Sequence, residues 1–259
     1  MASFIHETAI VSATAQIGAD CFVGPFCTIA QGVTLGEGVR LDSHVAIDGQ
    51  TIIGDGTHAY PFVSIGYAPQ DLKYSGEPTS TEIGKRNQIR EFVTIHRGTV
   101  AGGGVTRIGD DNLLMAQAHI AHDCQLGNEI IMANAATLAG HVEIADRASI
   151  GAYSGVHQFC RIGLEAFVGG YSVVVKDALP YATIQGNHAK CYGLNRLGMK
   201  RRGYPRGAID NLNHAFHILL SSKLNTSQAL ERIRQEISAC NEVDLLLRFI
   251  ESSKRGVVK

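Results

Sequence analysis

The sequence predicts a mostly β protein, a parallel β-helix of hexapeptide repeats, followed by an α-helical C-terminal domain. Three observations support this prediction. Branched aliphatic residues recur at every sixth position, glycine is abundant while aromatic residues are scarce, and the repeat ends near Pro180, where helical spacing begins. A period of six is neither the 3.6-residue period of a helix nor the two-residue alternation of a half-buried strand.

The aliphatic repeat runs through twenty-six hexads and lapses only over residues 67–82 and 98–107. Its first run reads Ile5, Val11, Ile17, Val23, Ile29, Leu35, Leu41, Ile47, Ile53, Ala59 and Ile65. Four residues after each aliphatic comes a small or β-branched residue, and we expect both to point inward. Three hexads make one triangular coil of 18 residues, with successive coils about 4.8 Å apart. Glycine, asparagine or aspartate is expected at corners that need a positive φ.

Composition fits a thin core of aliphatic side chains. The 259 residues include 29 glycines and no tryptophan, and four of the six cysteines (Cys21, Cys27, Cys124 and Cys160) occupy inward positions, as free core thiols would. The formal charge of -1 gives no support for binding to nucleic acid. No apolar run approaches the roughly 20 residues that span a bilayer, and no export signal is visible, so we expect a cytoplasmic protein without stable membrane insertion.

The predicted division of the chain places the β-helix in residues 1–180 and a helical domain in residues 181–259. In the second segment, Ile209, Leu212, Phe216 and Leu219 fall on one helical face. A further helix is expected after an N-cap at Thr226 or Ser227. We assign these apolar stripes to packing of the helices on each other and on the β-helix.

The segment HIAHDC, residues 119–124, contains the most informative polar residues. Residues 18 apart stack on adjacent coils, so His122 lies below Gly140 and Gly140 below Gln158. By the same arithmetic Asp123 lies below His141, and His157 is adjacent to Gln158. Because none of these positions points inward, we expect a polar cluster along one exposed edge over three coils.

Two chemistries suit this cluster. In one, His119, His122 and His141 bind Zn²⁺ through imidazole nitrogens. In the other, His122 is a general base oriented by Asp123, and the Gly140 N–H stabilises the oxyanion of an acyl transfer. The spacing of the residues does not separate the two.

The interruption at 67–82 contains a compact polar set, Gln70, Asp71 and Lys73, which could hold a polar substrate. A tolerated surface loop explains the same insertion equally well, since long loops occur both at sites and away from them.

Several motifs together resemble a known family. They are QDLKYSGEPT (70–79), TIHRGT (94–99), DNLLM (111–115), HIAHDC (119–124), ATLAGHV (136–142), VHQFC (156–160), QGNHA (185–189) and KRRGY (200–204). The chain is thereby similar, over nearly its whole length, to the acyl-[acyl carrier protein]–UDP-N-acetylglucosamine O-acyltransferases of lipid A synthesis. The resemblance implies a left-handed coil, a cytosolic homotrimer with sites between neighbouring prisms, and acyl carrier protein and UDP-N-acetylglucosamine as partners. It implies no cofactor and no metal.

The resemblance also assigns roles to residues. His122 would be the general base for the glucosamine 3-hydroxyl, polarised by Asp123, with Gly140 supplying the oxyanion N–H. The residues expected to bind substrate are Asp71, Lys73, His141, His157, Gln158, Gly170, Asn195 and Arg201. Among these, Gly170 corresponds to a gauge of acyl-chain length, for which a glycine implies a long hydroxyacyl donor. Asn195 and Arg201 would reach the uridine nucleotide, although Leu197 departs from an acidic residue found in some members.

Two alternatives remain open at this point. A hexapeptide-repeat N-acyltransferase acting on an amino sugar nucleotide would use much the same base. A structural solenoid without enzymatic activity would account for the repeat, but not for the clustered histidines or the two insertions.

Overall fold

The computed structural model describes residues 2–238 and 240–259, and the first twenty-six strands form a left-handed triangular prism. The predicted fold class, a parallel β-helix with a C-terminal helical part, is confirmed. Each coil contributes one short strand to each of three parallel sheets, which we call faces A, B and C. We number the strands in chain order, so that consecutive strands lie on faces A, B and C in turn.

Face A consists of β1 (Phe4–Ile5), β4 (Phe22–Val23), β7 (Arg40–Leu41), β10 (His58–Ala59), β13 (Gln88–Ile89), β16 (Leu113–Leu114), β19 (Ile131–Met132), β22 (Ser149–Ile150) and β25 (Phe167–Val168). Face B consists of β2 (Ile10–Val11), β5 (Thr28–Ile29), β8 (Ala46–Ile47), β11 (Ser64–Tyr67), β14 (Thr94–His96), β17 (His119–Ile120), β20 (Thr137–Leu138), β23 (Gly155–Val156) and β26 (Val173–Val174). Face C consists of β3 (Gln16–Ile17), β6 (Thr34–Leu35), β9 (Gln50–Ile53), β12 (Ser80–Ile83), β15 (Val105–Ile108), β18 (Gln125–Leu126), β21 (Glu143–Ile144) and β24 (Arg161–Ile162).

Stacking in register puts the repeated aliphatic residues in one continuous core. Ile120 of β17 pairs with Leu138 of β20, and Leu138 pairs with Val156 of β23. All three side chains are buried, because the inward position recurs every 18 residues on each face. Backbone hydrogen bonds join the coils; the His119 N–H, for example, donates to the Ala136 carbonyl at 3.0 Å.

The expectation of glycine, asparagine or aspartate at the corners holds for part of the prism, for example at Gly32, Gly38 and Asp111. Within residues 2–238 and 240–259, eighteen residues other than glycine have a positive φ, and many of them are aromatic or basic. At the corner between faces A and B, for example, Phe26, His44, Phe62 and Phe92 stack with ring centroids 4.8–5.0 Å apart. Side-chain stacking along the corner offsets the cost of the left-handed backbone there, which is about 1–2 kcal/mol per residue.

Both interruptions of the repeat leave the same corner. Residues 68–79 connect β11 of face B to β12 of face C, and residues 97–104 connect β14 of face B to β15 of face C. The second connection contains a short 3₁₀ helix, Val100–Gly102. Both insertions therefore project from the corner between faces B and C, which we call the BC corner.

Strand pairing continues past Pro180. Strand β27 (Ala182–Gln185) extends face A in parallel, and β28 (Lys190–Leu194) pairs with it antiparallel. The helices follow as α1 (Arg196–Arg201), α2 (Arg206–Ser221), α3 (Thr226–Glu236) and α4 (Asn241–Glu251). The first helix thus begins sixteen residues beyond the expected division at residue 180, and that division stays a prediction.

The C-terminal helices bury the apolar stripe that the sequence predicts: Ile209, Leu212, Phe216 and Leu219 all lie in the core. The predicted N-cap of α3 is wrong by one or two residues. Asn225 caps α3, and its amide and the Gln228 side chain form a reciprocal capping box, so the capping asparagine competes better than the hydroxyl residues that follow it.

The two ends of the prism are unlike. At the C-terminal end, β27, β28 and the helices cover the last coil. At the other end the first coil leaves Phe4, Ile5 and Ile10 exposed. Along the faces, the strand N–H groups of a coil donate to carbonyls of the next coil, as Phe4 donates to Cys21 at 2.8 Å, whereas at the corners the direction is reversed, as Gly38 donates to Ala19 at 2.8 Å.

The four cysteines predicted for the core are buried and free. Burial raises the pKa of the Cys124 thiol to about 12, so that thiol is protonated at neutral pH. Within residues 2–238 and 240–259, no helix is long and apolar enough to cross a membrane.

Replacing Leu35 with alanine tests the dependence of the prism on its inward aliphatic residues. Leu35 is 2% exposed, and its loss should destabilise the fold by about 2–5 kcal/mol through lost burial and a residual cavity. Thr34→Ala, on the outward side of the same strand, should change stability by less than about 0.5 kcal/mol. Thermal unfolding of both variants is the measurement, and equal shifts in Tm would contradict the assignment.

Candidate active site

His122 and Asp123 form a pair at the BC corner. The His122 Nδ1 atom lies 2.7 Å from Asp123 Oδ2. The Asp123 side chain is fully buried, whereas 15% of the His122 side chain remains exposed. Asp123 occupies the left-handed corner position, with φ 61°, which turns its carboxylate back under the imidazole that precedes it.

The insertion at 97–104 supplies the partners of the Asp123 carboxylate. The Thr99 N–H donates to Oδ1 at 2.8 Å, and the Thr99 hydroxyl donates to Oδ2 at 2.6 Å. Because both oxygens accept hydrogen bonds, Asp123 is held as a carboxylate. Its N–H donates to the Thr106 hydroxyl oxygen at 2.8 Å, which fixes the backbone of the corner.

The direction of these hydrogen bonds determines which ring nitrogen of neutral His122 carries the proton. An ionised carboxylate only accepts hydrogen bonds, so His122 Nδ1 must carry the proton that it donates to Oδ2. The lone pair of the ring is then on Nε2, at the edge that faces away from Asp123.

Gly140 lies directly above His122, as predicted. A Cβ atom at Gly140 would stand 2.5 Å from His122 Cε1 and 2.8 Å from Nε2. The absence of a side chain therefore lets the imidazole rest against the backbone. Within residues 2–238 and 240–259, no group accepts a hydrogen bond from the Gly140 N–H, so this donor is free for a ligand.

His141 is the second histidine of the cluster. Its ring is perpendicular to that of His122 at a centroid distance of 5.1 Å, and it stacks on Phe159 at 4.3 Å. Burial lowers the pKa of His141 and His122 lowers it further, while Asp123 and Asp71 act in the opposite direction. Asp71, in the insertion at 68–79, is thus close enough to His141 to interact with it electrostatically.

His96 and His119 lie deeper in the protein. Burial is the main reason that the pKa of His96 falls to about 4, and burial also lowers the pKa of His119. The Nδ1 atom of His119 forms a hydrogen bond with the Thr94 hydroxyl oxygen, 2.7 Å away. Both rings are neutral at pH 7, and they pack edge to face with their centroids 5.1 Å apart.

The residues that could hold a metal ion in the structure differ from the three histidines that the sequence suggested. His122, Asp123 and His141 offer ligand atoms within 4.8 Å of one another, and His119 is not part of this group. However, Asp123 already accepts two hydrogen bonds from Thr99 in addition to the contact with His122. That arrangement suits a carboxylate that orients an imidazole better than one that binds a cation.

A cleft of about 820 Å³ opens beside the pair. It runs along face C between the insertion at 97–104 and the C-terminal tail, and it reaches Asp123 and His141. Lys254 and Arg255 are exposed at its mouth. Arg161 in its wall is neutralised by Asp177 at 3.0 Å.

Other predicted residues of the same corner lie around the pair. Asp71 and Lys73 are held in one turn by a hydrogen bond from the Lys73 N–H to Asp71 Oδ1 at 2.9 Å. His157 and Gln158 are exposed one coil beyond Gly140, and Arg255 lies 3.4 Å from His157. The sequence arithmetic thus brought together residues that the structure places at one corner.

Gly170, Asn195 and Arg201 lie elsewhere on the chain. Gly170 belongs to the corner between faces A and B, where its Cβ would meet the Ala152 carbonyl at 3.2 Å. Asn195 caps α1, accepting from the Gly198 N–H and donating to the Glu165 carbonyl, both at 3.1 Å. Arg201, the last residue of α1, is exposed.

Helix α1 is fixed to the corner between faces C and A by the arginine that follows Arg201. Arg202 pairs with Glu129 at 2.8 Å and with the buried Glu165 at 3.2 Å. The residues expected at the site therefore occupy all three corners of one prism.

Three residues of the site escaped the analysis of the sequence: Thr99, Thr106 and Gly102. Each contacts Asp123 or would collide with it if enlarged. Counting the hexads in groups of three could have placed the insertions at the right corner, but not the contacts of these three residues with Asp123. That count places both insertions at the corner of His122.

Comparisons with known proteins identify similar chains over nearly the whole length of this one. One family model, described as UDP N-acetylglucosamine O-acyltransferase, domain 2, matches residues 177–258, and another, bacterial transferase hexapeptide (six repeats), matches residues 14–49. LpxA from Acinetobacter baumannii is 43% identical, with a TM-score of 0.96, over 98% of this chain and 99% of that one. The UDP-N-acetylglucosamine O-acyltransferase (LpxA) of Moraxella catarrhalis is 45% identical, with a TM-score of 0.96 and the same coverage. LpxA from Bacteroides fragilis, a UDP-N-acetylglucosamine acyltransferase, is 38% identical, with a TM-score of 0.97, over 99% and 100% of the two chains.

A β-helix of hexapeptide repeats with a histidine–carboxylate pair at its corner defines a hexapeptide-repeat acyltransferase. Within that class, the chain belongs to the UDP-N-acetylglucosamine O-acyltransferase family, LpxA. The family predicted from the sequence motifs is confirmed.

Replacing Gly140 with alanine tests the contact between the glycine and His122. The new Cβ would displace the imidazole, and a shift of about 1 Å in a catalytic group can reduce turnover roughly 100-fold. Gly207→Ala, in α2 with open space around the glycine, is the matched control. Acyltransferase activity of the two purified variants is the measurement; normal activity of the Gly140 variant would exclude close packing of His122 at this position during turnover.

Proposed function

We propose that the enzyme transfers a 3-hydroxyacyl group from an acyl carrier protein thioester to the glucosamine 3-hydroxyl of UDP-N-acetylglucosamine, the first step of lipid A synthesis. The observation that carries this proposal is the bond between His122 Nδ1 and the buried Asp123 carboxylate. It leaves Nε2 as a base at the open side of the corner. The names of the most similar structures support the sugar nucleotide as the acceptor.

His122 acts as general base in this proposal. Its Nε2 takes the proton of the sugar hydroxyl while the hydroxyl oxygen bonds to the thioester carbonyl carbon. Asp123 stabilises the imidazolium that forms. When the tetrahedral intermediate collapses, the carbon–sulfur bond breaks and the imidazolium returns its proton to the leaving thiolate.

Gly140 stabilises the developing oxyanion through its free N–H. Backbone donors that are fixed before the reaction lower the barrier without reorganising during it. His141, perpendicular to His122, is placed to contact the sugar or the thioester. Because burial lowers the pKa of His141, its ring is a neutral hydrogen-bonding partner at pH 7.

We propose a homotrimer whose sites lie between neighbouring prisms. His122, Gly170 and Arg201 belong to three different corners of one chain, so a single site can combine them only across copies. The corner between faces A and B carries the exposed, stacked aromatic residues Phe26, Phe62 and Phe92, a surface that suits burial at a central axis. The outer side of face C is charged and suits contact with solvent, as the exposed pair of Arg107 and Glu82 illustrates.

Exposed cations around the site suit the two proposed substrates, since both UDP-N-acetylglucosamine and the arm of a carrier protein contain phosphate. Lys254 and Arg255 stand at the mouth of the cleft, and Lys200 and Arg201 are exposed on α1. Such contacts with an acidic carrier would be weak and sensitive to salt. Gly170 as the gauge of acyl-chain length, with preference for a long donor, stays a prediction within this model.

Replacing His122 with alanine should lower turnover by about 10²–10⁴-fold, the usual contribution of a general base. The assay combines purified protein, UDP-N-acetylglucosamine and a series of hydroxyacyl carrier proteins. His217→Ala, on the exposed side of α2, is the matched control and should retain normal turnover.

A His122 variant with wild-type turnover would contradict the role of base. Activity that depends on stoichiometric zinc and disappears with a chelator would instead favour a metal at His122, Asp123 and His141. Transfer to an amine rather than a hydroxyl of the sugar would support the alternative N-acyltransferase.

Mixed assemblies test the sites between subunits. If His122 and Arg201 of one site come from different chains, a mixture of His122→Ala and Arg201→Ala subunits should regain activity that neither variant has alone. Random trimers would restore both residues at about one quarter of the interfaces. Co-refolding of the two variants followed by the transfer assay is the measurement, and no gain above the separate variants would place both residues in one chain's site.

A further inference from the structure

We propose that Thr99 is a positioning residue for catalysis, and that the insertion at 97–104 exists at this corner to hold the Asp123 carboxylate in place. The inference rests on the proposed function of His122 and Asp123. It assigns a role to a segment that neither the repeat nor the substrate-binding set accounts for. Thr99 touches no substrate in this scheme; it acts through Asp123.

Both hydrogen bonds that Thr99 donates go to the Asp123 carboxylate. Its N–H and its hydroxyl donate to the two different oxygens of Asp123, at 2.8 and 2.6 Å. Two donors from one residue fix both the position and the plane of the carboxylate. Thr99 is itself buried, so no water replaces these bonds readily.

The insertion is built so that Thr99 stays in this position. The Thr99 hydroxyl oxygen also accepts from the Gly102 N–H at 3.2 Å, which caps the 3₁₀ helix Val100–Gly102. The hydroxyl therefore has one acceptor role within the insertion and one donor role toward Asp123. Its proton cannot point elsewhere without losing the bond to the carboxylate.

At Gly102 the backbone of the insertion packs against the Asp123 carboxylate. A Cβ at this position would stand 2.0 Å from Asp123 Cγ and 2.3 Å from both carboxylate oxygens. The backbone of the 3₁₀ helix therefore lies directly against the carboxylate, whose side chain is fully buried. A plain surface loop would have no need of such close approach.

The consequence for catalysis concerns the orientation of His122. Because the Thr99 hydroxyl and His122 Nδ1 share the same oxygen, Oδ2, the threonine determines where on the carboxylate the imidazole bonds. Without that donor the carboxylate could rotate, and the direction of the His122 Nε2 lone pair would vary. The step affected is proton transfer, which is expressed in kcat.

Thr99→Val removes the hydroxyl and keeps the shape of the side chain. We expect kcat to fall about 10–100-fold, the effect of losing one hydrogen bond to a charged group, with the KM for UDP-N-acetylglucosamine nearly unchanged. Thr99→Ser restores the hydroxyl and should return kcat to within a few fold of wild type. In an Asp123→Asn background, Thr99→Val should cause little further loss.

Thr57→Val is the matched control. Thr57 is also buried, but its hydroxyl donates to the Gly84 carbonyl and accepts from the Asn87 N–H, so it bonds only to the backbone of the repeat. Its replacement should lower the Tm with little change in kcat. Gly102→Ala provides a second variant, since it leaves Thr99 intact while displacing the carboxylate, and should lower kcat.

The outcomes distinguish the inference from the proposed function. If His122→Ala is inactive while folded Thr99→Val and Gly102→Ala have wild-type kcat, the positioning role is overturned and the base remains. If His122→Ala is active, the proposed function itself fails. A fall in kcat for Thr99→Val that serine does not rescue, or that Thr57→Val equals, would reduce Thr99 to a structural residue and overturn the inference.

Discussion

Backbone pairing of residues 18 apart, which stack on adjacent coils, is the constraint on which the rest of the structure depends. This pairing sets the positions of side chains on three successive coils. Residues that are distant in sequence therefore come into contact through the stacking of coils alone. Gly140 meets His122, and His141 meets Asp123, because each pair is separated by one coil. Both insertions leave the repeat between strands, at a corner, so the strand pairing of the three faces continues past them. The active site is therefore confined to corners by the same bonds that build the prism.

Much of this arrangement could be predicted from the sequence, because a rigid repeat converts spacing into distance. The period of six gave the class of fold, and multiples of 18 brought His122, Gly140 and Asp123 together. The corner residues were less predictable, since aromatic and histidine side chains tolerate a positive φ when they stack on one another. The N-cap of α3 was predicted one or two residues too late, because local geometry decides which of several neighbouring polar residues caps the helix.

The contacts that the insertions make could not be predicted from the sequence. Outside the repeat no arithmetic relates Thr99 to Asp123, and their hydrogen bonds depend on the path of a short 3₁₀ helix. Likewise, Asn195 and Arg201 could be matched to family motifs, but their distance from His122 around the prism follows only from the placement of α1. Motif resemblance identifies residues of one site without saying which chain supplies them.

The unlike ends of the prism give the molecule a direction. At the closed end, strands and helices complete the hydrogen bonds and apolar contacts of the last coil, close to the catalytic corner. At the open end, the strands of the first described coil pair with the following coil, and Phe4, Ile5 and Ile10 are exposed. A change in prism length by whole coils at this end leaves the strands and helices over the last coil undisturbed. The early coils serve as a scaffold of adjustable length, whereas the later ones are fixed by the site they carry.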